Sequence, residues 1–474
     1  MPEARFVGTT WRRHDAPDAS EPSRVPRVVI AFHPRLARVG DSIELELDRA
    51  VEIGRLEPDF GDGPLDDPFI SRSTFAVKLT ADGVEIDNPD NVDVRIAGAI
   101  VRGVHRAAMR VDIVIGDRIV LRIDDDCDPV DDDLGLVGRS GVMRVLRAEI
   151  RRVAREQMPV LIRGETGTGK ELVARAIHAS GPRAKGPFVA INLAAIPPTL
   201  GASELFGHDK GAFRGAGEAR RGCFERAAGG VLFLDVLGDV DEAVQPMLLR
   251  ALDTGELQPL GSTTVRHSDA QVVAATDADL DDRVATGGFR AALFHRLAGG
   301  ELRTPPLRER GLDVALLFAR FADDRDDTLQ PTAWLAGSLA AELFRAPFPG
   351  NVRQLRAVVR HLAGLPKVVR SVVEPLLAAR AATAAPEVID DTRLRDTLRA
   401  HRFEPGASAD ALGISRPALY RLMVRASIRT ASELSADEIE VARRATNGGL
   451  DAMAETLEVS ARGLRLRMTQ LGLD

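Results

Sequence analysis

The chain has 474 residues, 45% of them hydrophobic, 28% charged and 4% aromatic, with a net charge of −7. That length predicts about three domains of ordinary soluble composition, and the mildly acidic total confines any nucleic-acid contact to a local patch. No run approaches the ~18 apolar residues of a membrane span, the first twenty residues lack a secretory apolar stretch, and two cysteines, Cys127 and Cys223, support neither a disulfide framework nor a cysteine metal site, so a cytoplasmic protein is expected.

Residues 1–26 are rich in Pro, Ser, Ala and charge without periodicity and read as a disordered lead-in. From Arg27 to Asp124 short runs such as VVIAF, FAVKLT, VEIDN and DRIVLRID, broken by Gly and Asp, predict an all-β sandwich over 27–124. The acidic stretch DDDCDPVDDD supplies a solvated linker over 125–133. From Leu134 helix and strand alternate: a helix around Met143 to Glu156, PVLIRG, a helix after Lys170, then FVAIN, GGVLFLD and QVVAAT. Short continuous apolar runs between helices predict an α/β domain over 134–305 whose parallel sheet is buried on both faces. After Pro305 and Pro306 the strands stop, giving a helical lid over 306–380. The alanine-rich run Ala378 to Val388 reads as a hinge into an all-α domain over 388–474.

That last domain repeats itself. A shift of 45 residues superimposes Ala409, Leu412, Ile414, Ser415, Leu419, Met423 and Ile428 on Ala454, Leu457, Val459, Ser460, Leu464, Met468 and Leu473. Two similar helix-turn-helix units are implied; the alternative is chance matching in a Leu- and Ala-rich tail.

The segment GETGTGKE carries the clearest chemistry. Gly164, Gly167 and Gly169 permit a loop whose N–H groups wrap phosphate, the following helix presents its positive end, and Lys170 adds a compact charge for the β and γ phosphates. Glu165, Thr166 and Thr168 complete the loop, and Glu171 stands where a magnesium-ligating Ser or Thr is usual. Together with SELFGHDKGAFRGA (Ser203 to Ala216) and FERAAGGVLFLD (Phe224 to Asp235), this segment resembles the AAA+ ATPases that activate sigma-54 RNA polymerase.

The resemblance implies ATP and Mg²⁺ as cofactors, with Asp235 and Glu171 at the metal. It implies Asn192 beside the water-polarising position, Asp277 of AATDADL in the first sensor, and Arg353 of FPGNVRQL in the second. Arg290 and Arg296 of FRAALFHRL become arginine fingers acting across a ring of subunits. Taken singly each arginine reads as a solvated charge; at matched positions together they favour an ATP site. Four departures stand out. Val236 occupies the glutamate position, and losing a positioned base costs about 10²- to 10⁴-fold in rate. Asp239 and Asp241 are the nearby substitutes, Asp277 replaces an asparagine, and Ala292 replaces an acid. In the sigma-54-contacting loop, Gly211, Ala212, Phe213, Arg214, Gly215 and Ala216, a long cation replaces threonine at Arg214, which either changes the surface recognised or points into solvent.

In the front region VEIGR, DPFISRSTF and DNVDVRIAG resemble forkhead-associated domains. That resemblance implies a phosphothreonine site of Arg55, Ser71 and Asn91 helped by Arg72, although Thr74 replaces a histidine and Val92 a glycine. The alternative is a purely structural sandwich. The tail ADALGISRPALYRLM resembles the Fis-type helix-turn-helix, with Gly413 and Ile414 in the turn, Ser415 as cap, and Arg416, Tyr420 and Arg421 toward DNA. Arg425 and Arg429 add phosphate contacts, and Arg462, Arg465 and Arg467 are their counterparts in the second unit; a helical dimerisation domain is the alternative.

The whole implies a bacterial transcription regulator of the sigma-54 activator type. It would assemble as a homo-oligomeric ring, bind an enhancer-type DNA site, sense a phosphothreonine protein or peptide, and act on sigma-54 RNA polymerase. The rival is a degenerate AAA+ repressor or scaffold that binds ATP and DNA without hydrolysis or sigma-54 remodelling. A third reading is a phosphothreonine adaptor on a passive ATPase fold.

Overall fold

The computed structural model describes residues 25–127, 133–213, 216–323, 335–363, 365, 368–378, 391–412, 419, 422, 423, 426, 428, 429, 431, 434–446 and 449–473. The chain divides between Glu374 and Pro375 into two compact units, each taken by itself below.

The first unit begins with ten strands: β1 (Arg27–Phe32), β2 (Ser42–Glu44), β3 (Ala50–Ile53), β4 (Phe75–Thr80), β5 (Gly83–Asn88), β6 (Val94–Ile96), β7 (Ala99–Ile100), β8 (Gly103–Ala107), β9 (Asp112–Ile115) and β10 (Ile119–Asp124). They form two antiparallel sheets, ordered β2-β1-β10-β9-β6-β7 and β3-β4-β5-β8. Ile30, Leu121 and Ile113 from one sheet meet Ile53, Phe75, Val77 and Ile86 from the other in a single apolar core. β1, β9 and β10 depart from simple alternation. Their outward residues Val29, Ala31, Val114 and Val120 are buried as well, because helices of the lid cover that face. The continuous apolar run VVIAF carries the sequence signal of a strand covered on both sides.

Next come α1 (Gly141–Glu156), β11 (Val160–Arg163), α2 (Lys170–Ser180), β12 (Phe188–Asn192), α3 (Pro198–Phe206), β13 (Gly207–His208), β14 (Arg220–Arg221), α4 (Cys223–Arg226) and β15 (Val231–Asp235). They are followed by α5 (Gln245–Thr254), β16 (Glu256–Leu257), β17 (Arg266–His267), β18 (Gln271–Thr276), α6 (Leu280–Ala285), α7 (Ala291–Leu297) and β19 (Gly300–Arg303). Five strands form a sheet in the order β12-β15-β18-β11-β19, every pair parallel. The four apolar runs of the sequence supply four of these strands. The fifth, GELR, escapes a hydrophobic reading because edge position lets Glu301 and Arg303 stay exposed. Separate apolar clusters cover the two faces of this sheet.

The lid comprises α8 (Asp313–Asp323), α9 (Gly337–Phe344), α10 (Asn351–Leu362) and α11 (Arg370–Ala378). In the second unit, helices Asp391–Ala400 and Pro405–Ala411 recur as Ala436–Ala445 and Leu450–Thr456, each bound advanced by 45, and Ala461–Leu471 follows. Two cores keep the same register: Leu394, Ala409, Leu419 and Met423 in one, Ile439, Ala454, Leu464 and Met468 in the other.

Candidate functional site

The loop between β11 and α2 is shaped by close backbone approach. A Cβ on Gly164 would lie 2.0 Å from Thr304 Oγ1, and one on Gly167, at φ +81°, 2.4 Å from the Gly350 carbonyl. Lys170 Nζ donates to the carbonyls of Gly164 at 2.7 Å and Glu165 at 3.1 Å, which aims the cation across the loop. Burial pulls the Lys170 pKa below its ordinary value, against the opposing fields of Asp277 and Asp235, and the Arg353 charge acts in the same direction as burial. Thr168 Oγ1 meets Thr304 Oγ1 at 2.8 Å. Buried Arg310 donates to the Thr168 carbonyl at 2.9 Å, and although desolvation lowers its pKa to about 10 it stays charged at neutral pH.

The lid is fastened to this loop. Buried Asn351 donates from Nδ2 to Glu165 Oε2 and to the Thr166 carbonyl, both at 3.1 Å, and accepts from Leu307 N at 2.7 Å. Arg308 pairs with Glu165 at 2.7 Å, and Arg353 N donates to the Gly167 carbonyl at 3.3 Å while its guanidinium is exposed. Asn351, Arg308, Arg310 and Thr304 went unread in the sequence. Their signals were the FPGN turn and the charged LRER following two prolines.

Asp235 ends β15 beside Asn192 in register, and its Oδ1 accepts from Val236 N at 3.0 Å. Val236 sits at φ +55°, a left-handed conformation that costs a β-branched residue about 1–2 kcal/mol. Asn192 has a local partner, accepting from Ala194 N at 3.0 Å to cap a 3-10 turn. Asp239 pairs with Arg283 at 3.4 Å and Asp241 accepts from Ala243 N at 2.8 Å, so both substitute carboxylates are committed elsewhere. Thr166 Oγ1 donates to Asp277, drawing that carboxylate onto the loop. Glu171 pairs with Arg175 at 2.7 Å along the exposed side of α2. Of the two finger arginines, Arg290 caps α7 with its guanidinium exposed, whereas Arg296 folds onto α5, bonding Asp253 at 2.9 Å and the Leu252 carbonyl at 3.1 Å.

The GAFRGA segment falls between β13 and β14 along the chain. Gly211 N donates to the Ala216 carbonyl at 2.8 Å, and the Phe213 ring meets the His208 ring edge-on at 5.0 Å. His208 Nδ1 in turn lies 2.7 Å from Ser203 Oγ, so α3 fixes the loop's base. Arg214 and Gly215 lie outside the described residues.

In the front region Arg55 donates from Nε to the Ile70 carbonyl at 2.9 Å and from Nη2 to that of Pro68, placing it against the turn that carries exposed Ser71 and Arg72. Asn91, exposed and left-handed, belongs to a separate turn. That turn is held by buried Asn88, also unread in the sequence, which donates to the Val92 and Val101 carbonyls at 2.9 Å and accepts from Val92 N. Thr74 donates to Glu52 at 2.7 Å. In the tail Ser415, Arg416, Tyr420 and Arg421 lie outside the described residues, as do Gly413, Ile414 and Arg425. Arg429 pairs with Glu438 at 2.8 Å. Ser460 Oγ caps the last helix by accepting from Gly463 N at 3.1 Å; Arg462 and Arg465 are exposed, and Arg467 donates to the Leu434 carbonyl.

The sequence profile of the sigma-54 interaction domain matches residues 136–303, and that of an AAA+ ATPase lid domain matches 308–376. The anaerobic nitric oxide reductase transcription regulator NorR of Citrobacter koseri is 37% identical over 373 residues, spanning 75% of this chain and 72% of NorR. The chain belongs to the sigma-54-dependent transcription regulators. Within that family the Nif-specific regulatory protein of Rhodobacter capsulatus is 44% identical over 262 residues, 55% of this chain but only 45% of its own length. A crystal structure of NtrX from Brucella abortus in complex with ATP aligns at 32% identity over 62% of this chain and 69% of that one, with a TM-score of 0.47. The family places the Lys170 loop, the Asp235 strand and the lid in one AAA+ module.

Proposed function

We propose that this regulator binds ATP with Mg²⁺ at the Gly164–Lys170 loop and uses it to act on sigma-54 RNA polymerase, with residues 27–124 sensing a phosphothreonine partner and residues 388–474 binding DNA. The observation that carries the nucleotide reading is the closure of Asn351 and Arg353 over a loop whose Gly164 and Gly167 leave no room for a side chain. Such a cradle suits phosphate: backbone N–H groups face the oxygens, the α2 dipole favours the anion, and Lys170 exchanges loop carbonyls for phosphate oxygens.

Mg²⁺ supplies charge neutralisation at the phosphates when bound. Asp235, at the strand end, would hold its water shell, while Glu171 would reach it only on leaving Arg175. Arg353 reads the nucleotide from the lid, and Arg290, exposed on α7, is the better placed of the two arginines to reach a neighbouring subunit. Water activation is the weak step. Val236 accepts no proton, and Asp239 and Asp241 are engaged, which favours slow turnover and keeps the non-hydrolysing reading as the second one. Titration with ATP in a calorimeter tests the binding claim: saturable uptake is expected, with Lys170→Ala abolishing it. Heat changes equal in the two proteins would count against the site.

A further inference from the structure

We infer that the front sandwich is part of the lid's mechanical support, and that the Asp67–Ser71 turn is coupled to the nucleotide loop through Asp117, Arg118 and α9. The inference rests on the reading of the Gly164–Lys170 loop as an ATP site.

The outer face of β1, β9 and β10 is an interface. Phe32 of β1 meets Phe318 of α8 at 6.2 Å and Phe344 of α9 at 6.4 Å, the latter two rings are 5.4 Å apart, and the three are 0%, 1% and 3% exposed. Aromatic packing of this depth resists sliding, unlike the polar contacts of loosely joined domains. The sandwich also holds α9 at both ends. At its start, Gly337 N donates to the Asp117 carbonyl and Ser338 N to Asp117 Oδ1, both at 2.8 Å. A Cβ on Gly337 would lie 3.0 Å from the Asp117 backbone, so the two segments touch. At its end, Arg345 pairs with Asp112 at 3.4 Å, and Asp112 is itself gripped by buried Arg122 at 2.7 and 3.0 Å.

The residue after the cap faces the other way. Arg118 Nε pairs with Asp67 at 3.0 Å and its guanidinium lies 4.4 Å from the centre of the Phe69 ring. Asp67 is buried and accepts from Phe69 N at 2.8 Å, fixing a turn whose Pro68 and Ile70 carbonyls receive Arg55. Phe69 is 73% exposed. Adjacent residues of one hairpin therefore join the turn to the lid: Arg118 holds the turn and Asp117 caps α9. On the far side, α10 packs on α8 and delivers Asn351 and Arg353 to the nucleotide loop. A ligand that draws Arg55 from those carbonyls releases the turn, shifts the Arg118 ion pair and moves the lid; reciprocity requires that nucleotide binding act back on the turn.

The test is ATP affinity of the full chain, measured by calorimetry for wild type, Arg118→Ala, Asp117→Ala and Arg345→Ala, with melting curves confirming folding. Arg118→Ala and Asp117→Ala are each expected to weaken ATP binding by about 5- to 10-fold, the size of ordinary coupling between sites, and their double mutant to fall short of the product of the single effects. Amide exchange at residues 337–344 should quicken in Asp117→Ala. Should Asp117→Ala fail to fold, Arg118→Ala, at a half-buried side chain, and Arg345→Ala, at an exposed one, carry the test. Unchanged ATP affinity in folded Arg118→Ala and Arg345→Ala overturns the inference alone. A wild-type chain that takes up no ATP overturns the nucleotide reading and the inference with it.

Discussion

Val236 concentrates two anomalies at one position: it replaces a carboxylate beside Asp235, and it holds a left-handed backbone that branched side chains disfavour. The substitution Val236→Glu is expected to raise ATP turnover by about two orders of magnitude, restoring a base within reach of attacking water. Val236→Gly separates the two effects. It should leave turnover low while relieving roughly 1 kcal/mol of strain, seen as a raised midpoint in chemical denaturation. The missing carboxylate was legible in the sequence; the strain was not, because a dihedral angle has no letter. Asn192 shows the complementary lesson, since the residue expected beside the water-polarising position caps its own turn. At the front turn, Arg55→Ala should abolish retention of a phosphothreonine peptide in a pull-down.

Among the elements, the parallel sheet was readable from short apolar runs, and only the charged edge strand β19 escaped. The sandwich strands were readable as strands but not as an interface, although VVIAF lacked the polar alternation of a solvated face. The tail repeat was legible because two helices and their core positions recur at one spacing. Its second half carries a pH-sensitive element. Glu438 in the capping box of helix Ala436–Ala445 accepts from Ser435 N and pairs with Arg429, which draws its pKa from 4.5 down to about 2. A depressed carboxyl contributes stability above its ordinary pKa and loses it as pH falls through the lowered one. Helix content of the tail is therefore expected to drop as acid is added between pH 4.5 and about 2, a loss largely absent in Glu438→Gln when followed by circular dichroism.

At the scale of the molecule, the sandwich, the α/β domain and the lid share one compact unit, and the second unit repeats a single helical motif. Resemblance to a known family made the AAA+ module legible, carried by the phosphate loop, the strand-terminal aspartate and the lid arginine. What stayed illegible was the packing of β1 on α8 and α9, a contact between segments far apart in sequence that no local pattern encodes. The central claim is that ATP held at the Lys170 loop drives action on sigma-54 polymerase despite Arg214 and Val236. Open-complex formation by sigma-54 holoenzyme on a promoter carrying the protein's binding site tests it directly. ATP-dependent complexes, lost in Lys170→Ala and increased in Val236→Glu, are predicted; no ATP-dependent complexes with either wild type or Val236→Glu, in any phosphorylation state of the front domain's partner, would contradict it.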